Sequence, residues 1–287
     1  MTRRLVLTGA SGLLGTHLLP RLGGWEVHAL GRRPPPRSLP NVRWVAADLA
    51  RPLDDAALPE RADAVVYLAQ SDRFRDFPEA ALDVFEVNLA QLAQMLDYTR
   101  RAGASHFIHA SSGGVYRRSS RPLTEGSPTE EPSVLGYYAA TKLAGEMLAQ
   151  GYGRSMTIVS LRYFFIYGPG QKRDMLVPRL IDSVRTGAPV SLQGADGIRI
   201  NPVHAADAAA ATAAALDLTD SAAINVAGPE ILSLREMGET IGDALGKPPV
   251  FEQAEPAAGD LVADTGLMSE ALCPPQRRFR DQLGELL

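Results

Sequence analysis

A chain of 287 residues is long enough to bury a full α/β core and carry a modest second lobe. Its formal net charge of −4 argues against nucleic acid or an anionic membrane as a partner, and no stretch is apolar for long enough to cross a bilayer. Cys273 is alone, which excludes an intrachain disulfide framework and points to a reducing cytoplasm. The five histidines show no ligand spacing with acids or Cys273, so no metal is expected.

In chain order, Leu5-Val6-Leu7 reads as a strand buried on both faces, and three glycines follow at a spacing of three, Gly9, Gly12 and Gly15. Leu14, Leu18 and Leu22 then recur at helical spacing. This early break in the apolar run also means that no secretory leader is expected. Strand, glycine turn and helix together give the pattern its meaning. Gly9 permits the sharp turn, Gly12 lets a pyrophosphate approach the backbone, and Gly15 lets helix and strand pack closely. The helix start adds free N–H groups for the phosphates.

A second strand is expected from Trp25 to Leu30. In a dinucleotide-binding βαβ unit an acid at its end holds the ribose 2′-hydroxyl. Here Gly31 stands there, followed by Arg32 and Arg33, with no carboxylate until Asp48. A guanidinium fork suits a 2′-phosphate, so NADP is expected rather than NAD, the bland alternative being two solvated arginines. A third strand from Val42 should end in Asp48, which either accepts from the adenine amino group or caps the following turn, with Leu49 next to it. Ala64 to Ala69 reads as a central parallel strand whose carboxyl end brings Leu68, Ala69, Gln70 and Ser71 to the crevice.

Phe85, Leu89, Leu92 and Leu96 predict a helix from about Ala81 to Arg101, with Asn88 beside the stripe, either bridging backbone groups or exposed. His106 to Ala110 predicts a fifth strand, ending in Ser111-Ser112. Further on, Tyr138 and Lys142 are four apart and so share a helix face. A phenol of pKa near 10 is a poor base at neutral pH, but a neighbouring ammonium and a cationic nicotinamide would make its phenolate accessible. Ser112 can hold a substrate oxygen in line with that phenol. Met175 to Ile181 reads as a helix and Pro189 to Leu192 as a short strand. Leu234, Met237, Ile241 and Leu245 mark one face of a later helix. His204 is better read as a packed histidine than as a base.

Taken together, Thr8-Gly9-x-x-Gly12-x-x-Gly15, Asp48-Leu49, Ser111-Ser112-x-x-Val115-Tyr116, Tyr138-x-x-x-Lys142, Leu161-Arg162, Tyr167-Gly168-Pro169-Gly170-Gln171 and Val203-His204-x-x-Asp207 resemble the extended short-chain dehydrogenase/reductase superfamily, epimerase/dehydratase branch. The resemblance implies a Rossmann-type doubly wound parallel sheet with a smaller, mostly C-terminal substrate-binding lobe. It places the dinucleotide domain at 1–168 plus 201–228 and the lobe at 169–200 plus 229–287. It implies Ser112, Tyr138 and Lys142 as the catalytic set, with Lys142 also on the nicotinamide ribose. A cofactor would be lined by Gly9, Ser11, Gly12, Leu13, Leu14, Gly15, Arg32, Arg33, Asp48, Leu49, Leu68, Ala69, Gln70, Asn88, Tyr138 and Lys142.

Three departures qualify the expected substrate. The acid after the second strand is missing. Gly113-Gly114 stand where dehydratases carry Asp-Glu, so dehydration is not expected. Phe165 stands where nucleotide-sugar epimerases carry a phosphate-contacting Asn. If the substrate is a nucleotide sugar, its phosphates lean on Arg179 and Arg199, with Ser71 and Ser112 towards the sugar; Arg199 is one residue out of the family register and could be a solvated arginine. The reading is thus a cytoplasmic NAD(P)-dependent oxidoreductase or epimerase acting on a carbinol or keto carbon of a sugar-like substrate, a nucleotide sugar being the one expected. A ketoreductase of a non-nucleotide carbonyl, or a non-catalytic dinucleotide sensor, is the alternative, and a homodimer is left open.

Overall fold

Runs that are apolar on both faces form the centre of a parallel sheet. In the computed structural model, which describes residues 2–255 and 259–287, the chain begins β1 (Arg3–Thr8), α1 (Leu13–Leu18), β2 (Trp25–Gly31), β3 (Val42–Ala46) and β4 (Ala64–Tyr67). It continues through α2 (Ala81–Phe85), a π turn at Glu86–Ala90, α3 (Gln91–Arg101), β5 (His106–Ser112), α4 (Tyr137–Gln150) and β6 (Thr157–Tyr163). Then come α5 (Leu176–Thr186), β7 (Val190–Gln193), β8 (Arg199–Ile200), α6 (Ala205–Ala214) and β9 (Ala222–Val226). The remainder is β10 (Leu232–Ser233), α7 (Leu234–Leu245), β11 (Phe251–Ala254), α8 (Gly266–Ala271) and α9 (Phe279–Gln282).

Seven strands form one sheet in the order β3-β2-β1-β4-β5-β6-β9. The β1–β2, β2–β3, β1–β4 and β4–β5 pairings are parallel. The strand order reverses between β1 and β4, and ligands of open α/β sheets bind outside the strand carboxyl ends at such a point. Leu5, Val6, Leu7, Val65, Val66, Phe107 and Ile108 are fully buried. Each such side chain stabilises the fold by about 1.5–3 kcal/mol. On one side they meet Leu92, Met95 and Leu96 of α3, the stripe expected from the sequence.

The chain divides into two compact units. One comprises Met1–Val115, Glu131–Arg162 and Ala209–Ile224, the other Tyr116–Glu130, Tyr163–Ala208 and Asn225–Leu287. Residues 116–130, 163–168, 201–208 and 225–228, expected in the dinucleotide domain, fall in the second unit. Within that second unit α5 and α7 bury Val177, Leu180, Ile181, Val184, Met237 and Ile241 together with Phe279 of α9. A capping box starts α7: the Ser233 Oγ accepts from the Glu236 N–H (3.1 Å), and a Glu236 carboxylate oxygen accepts from the Ser233 N–H (2.7 Å). Two small sheets complete it, β7 with β11 in parallel and β8 with β10 antiparallel.

Two expectations are corrected. The third strand stops at Ala46 rather than Asp48, because Asp48 turns the chain by accepting the Ala50 N–H at 3.2 Å. The helix expected over 81–101 is interrupted by the π turn at Glu86–Ala90, which rotates Asn88 inward to 2% exposure. Such turns widen a helix locally and recur at functional sites.

Candidate active site

The first unit assembles its site around the end of β1. Thr8 Oγ1 accepts from the backbone N–H groups of Leu68 and Ala69, both at 3.1 Å, and so fastens the carboxyl ends of β1 and β4 side by side. Gly9 then takes φ +71°, a region that side chains disfavour. A β-carbon on Gly15 would lie 2.3 Å from the Gly9 carbonyl oxygen, so only glycine permits this close packing of turn and helix. Ser11 and Gly12 stay exposed at the rim, while Leu13 and Leu14 turn inward. A turn that lacks side chains at Gly9, Gly12 and Gly15, at the carboxyl end of β1, fits a dinucleotide pyrophosphate.

Around this cradle, Leu49 and Ala69 are buried, Leu68 is half-buried and Gln70 is exposed. Asp48 caps its turn and sits 4.0 Å from Arg51, which is the local alternative to an adenine contact. Arg32 and Arg33 are exposed just beyond β2. Arg32 Nη2 is 2.6 Å from a carboxylate oxygen of Asp72, a partner that sequence spacing did not suggest.

Ser112, Tyr138 and Lys142, the residues expected to be catalytic, lie close together. β5 ends in Ser112, and the N–H of Gly114 donates to the Ser112 Oγ at 3.1 Å, holding the hydroxyl at the strand end. Tyr138 lies in the first turn of α4 with its phenol against Ser112. The phenol also donates to Gln70 Oε1 at 3.2 Å, so the carboxyl ends of β4 and β5 both reach the same hydroxyl. Phe74 packs on the Tyr138 ring with centroids 4.9 Å apart.

The electrostatics differ from the sequence expectation. Burial pushes the Tyr138 phenol up to about 12, and the groups that pull it back are the Ser112 hydroxyl and the Arg75 charge. Lys142 instead directs its ammonium to the Ala110 carbonyl at 2.9 Å, with Nζ 5.8 Å from the Tyr138 ring centroid. Lys142 is 3% exposed, and that burial lowers it to about 8. Desolvation therefore dominates the phenol, and Ser112 and Arg75, not Lys142, are the groups that lower it.

Asn88 resolves to its bridging alternative. Its Oδ1 accepts the Ser71 N–H at 3.1 Å and its Nδ2 donates to Thr141 Oγ1 at 2.9 Å, tying the loop after β4 to the helix that carries Tyr138 and Lys142. Ser71, expected at the substrate, is 2% exposed; its hydroxyl donates to Asp83 and accepts the Arg73 N–H at 3.0 Å. It builds the loop rather than presenting a free hydroxyl.

One layer deeper lies a cluster the sequence reading did not assign. Glu146, four residues past Lys142 on the same helix face, accepts from the Ser111 hydroxyl and from Arg162 Nη2 at 2.6 Å and Nε at 2.9 Å. All three residues are buried. The continued four-residue spacing from Tyr138 to Glu146 was its only sequence signal.

In the second unit, Phe165 is half-buried against the α5–α7 core and takes φ +45°, a left-handed conformation unusual for a bulky residue and much commoner for Asn. Arg179 is exposed on α5. Arg199 grips Asp260 through Nη2 at 2.7 Å and Nε at 2.9 Å, so it is ion-paired rather than merely solvated. His204 is buried with Nε2 2.8 Å from Glu285 and its ring edge-on to Tyr167, the packed role expected of it. Among the described residues no group of His, Cys, Asp or Glu is placed to hold a metal ion, and no helix is long and apolar enough to cross a membrane.

Comparison with known proteins gives a consistent result. The chain is 27% identical over 214 residues to a probable UDP-glucuronate 4-epimerase of Rhizobium meliloti, spanning 67% of this chain and 61% of that protein. It is 26% identical over 270 residues to a dTDP-4-dehydro-6-deoxy-D-allose reductase of a Streptomyces species, covering 86% and 82% of the two chains. Its structure matches that of MoeE5 in complex with UDP-glucose and NAD with a TM-score of 0.83 and 26% identity over 98% of this chain and 96% of the other. The model of one family matches residues 5–227, a span containing the glycine turn, Ser112, Tyr138 and Lys142, and the chain belongs to that family, the NAD dependent epimerase/dehydratase family.

Proposed function

We propose that this protein is an NAD-dependent epimerase of a nucleotide sugar, working at a carbinol carbon through Tyr138. The observation that carries the reading is the convergence of Ser112, Gln70 and Tyr138 beside the glycine cradle, with Lys142 buried behind them. A nicotinamide held there supplies the hydride acceptor and donor. Ser112 orients the sugar hydroxyl, and Tyr138 takes its proton and later returns it. Lys142 holds the ribose. NAD is the dinucleotide in the MoeE5 complex, and we take NAD rather than NADP as the cofactor here.

The nucleotide part of the reading rests on the relatives and on Arg179 and Arg199 as the cations for a diphosphate. Phe165 cannot donate or accept the bond that an amide would make. Removing Arg199 should raise the substrate KM about three- to tenfold with kcat nearly kept, a small effect because the guanidinium is over half exposed and must first give up its pair with Asp260. Incubation with a panel of UDP- and dTDP-sugars, followed by NMR of the products, tests the whole reading. The expected result is an epimer without net change in nicotinamide absorbance. Stoichiometric oxidation of the reduced cofactor would instead establish a ketoreductase, and the Streptomyces relative is named a reductase. A protein that turned over no sugar would sink both.

A homodimer is the further proposal for partners. Phe85, Leu89, Met147 and Leu148 form an apolar groove between the α2–α3 segment and α4, with Met147 68% exposed. Contiguous apolar surface of this kind marks interaction sites. Sedimentation of the wild type at micromolar concentration reads the state, and a monomer there would remove the proposal.

A further inference from the structure

The strand β2 ends without the acid that would receive a ribose 2′-hydroxyl, and the two arginines that follow should attract a 2′-phosphate. The sheet order brings another group to that place. β2 and β4 lie on either side of β1. Asp72, in the loop after β4, and Arg32, just past β2, therefore approach each other from the two sides of the glycine turn. Their side chains meet at 2.6 Å across forty residues of sequence.

Arg75 of the same loop lies over the Phe74 ring, 5.0 Å from its centroid. Arg73, adjacent to Asp72, is tied to Asp76 at 3.3 Å. Asp48, the nearest acid in sequence after β2, caps its own turn and faces Arg51. Arg33 adds a second exposed positive charge beside the pair.

We infer that Asp72 is the residue that sets the choice between NAD and NADP, by supplying from the loop after β4 the carboxylate that β2 lacks and by occupying Arg32. This rests on the dinucleotide reading of the site. A 2′-phosphate has to displace the Asp72 carboxylate from Arg32 and then lie beside its negative charge. A free 2′-hydroxyl meets neither penalty and finds a carboxylate acceptor. The sequence therefore suggests NADP, whereas the ion pair favours NAD.

The test titrates NADH, NADPH, 5′-AMP and 2′,5′-ADP against the wild type, Asp72→Asn, Arg32→Ala and the double variant, by calorimetry. The adenosine fragments read the ribose site without any turnover. Since a charge-assisted contact to phosphate is worth about tenfold or more in affinity, Asp72→Asn should tighten NADPH and 2′,5′-ADP about tenfold. NADH and 5′-AMP should be unchanged or slightly weakened by the same substitution. Arg32→Ala should act in the opposite direction on the phosphorylated ligands and abolish the gain in the double variant. If both single variants instead weaken NADH and NADPH alike, the pair is a clasp over the cofactor and the inference fails. It fails equally if Asp72→Asn leaves the ratio of the two affinities at its wild-type value. Loss of binding to all four ligands by the wild type would overturn the dinucleotide reading itself.

Discussion

Replacing Tyr138 by phenylalanine should cut turnover by about 10²–10⁴-fold, the usual contribution of a positioned acid–base group, with the fold and NADH binding kept. The ring and its packing on Phe74 survive the change, and only the hydroxyl between Ser112 and Gln70 is lost. The pH profile adds a second reading. Burial holds Lys142 near 8, so its ammonium is present below that pH and lost above it. Lys142 is also the residue proposed to hold the nicotinamide ribose, so loss of its charge should weaken the hold on the cofactor. Turnover of the wild type should therefore fall as pH rises through about 8. Lys142→Met should be slow at every pH, bind NADH more weakly and lack that limb. Steady-state rates across the pH range check this, and a Tyr138→Phe protein with near-normal turnover would end the catalytic assignment.

The largest expected effect on stability comes from Glu146→Leu. Arg162 is buried and points two of its nitrogens at this carboxylate, and Ser111 gives it a hydroxyl proton. Removing the acceptor strands a buried guanidinium, which costs about 3–5 kcal/mol out of a total of roughly 5–15 kcal/mol for a natural domain. The unfolding midpoint should drop by on the order of 10 °C. Replacing both partners, Glu146→Leu with Arg162→Leu, should recover most of the loss, because paired apolar side chains of similar volume often substitute for a buried ion pair without penalty. Denaturant unfolding of the single and double variants measures it. A single variant within about 1 kcal/mol of wild type would mean that water reaches the pair and that α4 is not anchored through it.

That anchor bears on catalysis because Tyr138, Lys142 and Glu146 lie along one face of α4. Glu146 meets β5 through Ser111 and β6 through Arg162, while Asn88 joins the same helix to the loop after β4. The phenol and Ser112 thus face each other across elements pinned by buried polar bonds. Such bonds are costly to leave half-made in a low-dielectric interior, so they specify one arrangement of helix against sheet.

The sequence by itself determined the strand–glycine–helix start, the central strands and the Ser112, Tyr138 and Lys142 set. These are governed by local geometry: side-chain period, a spacing of four on a helix, and the few residues that fit a tight turn. Only the tertiary structure decided what depends on distant partners. It turned Asn88 inward on a π turn, paired Arg199 with Asp260, placed Phe165 in a left-handed conformation and set Glu146 beneath Ser111. It also joined Arg32 to Asp72. The physical reason is common to all of these. Charge and hydrogen-bonding capacity are visible in a residue's type, but whether they are spent on a ligand or on another residue depends on which strand ends the sheet order brings together.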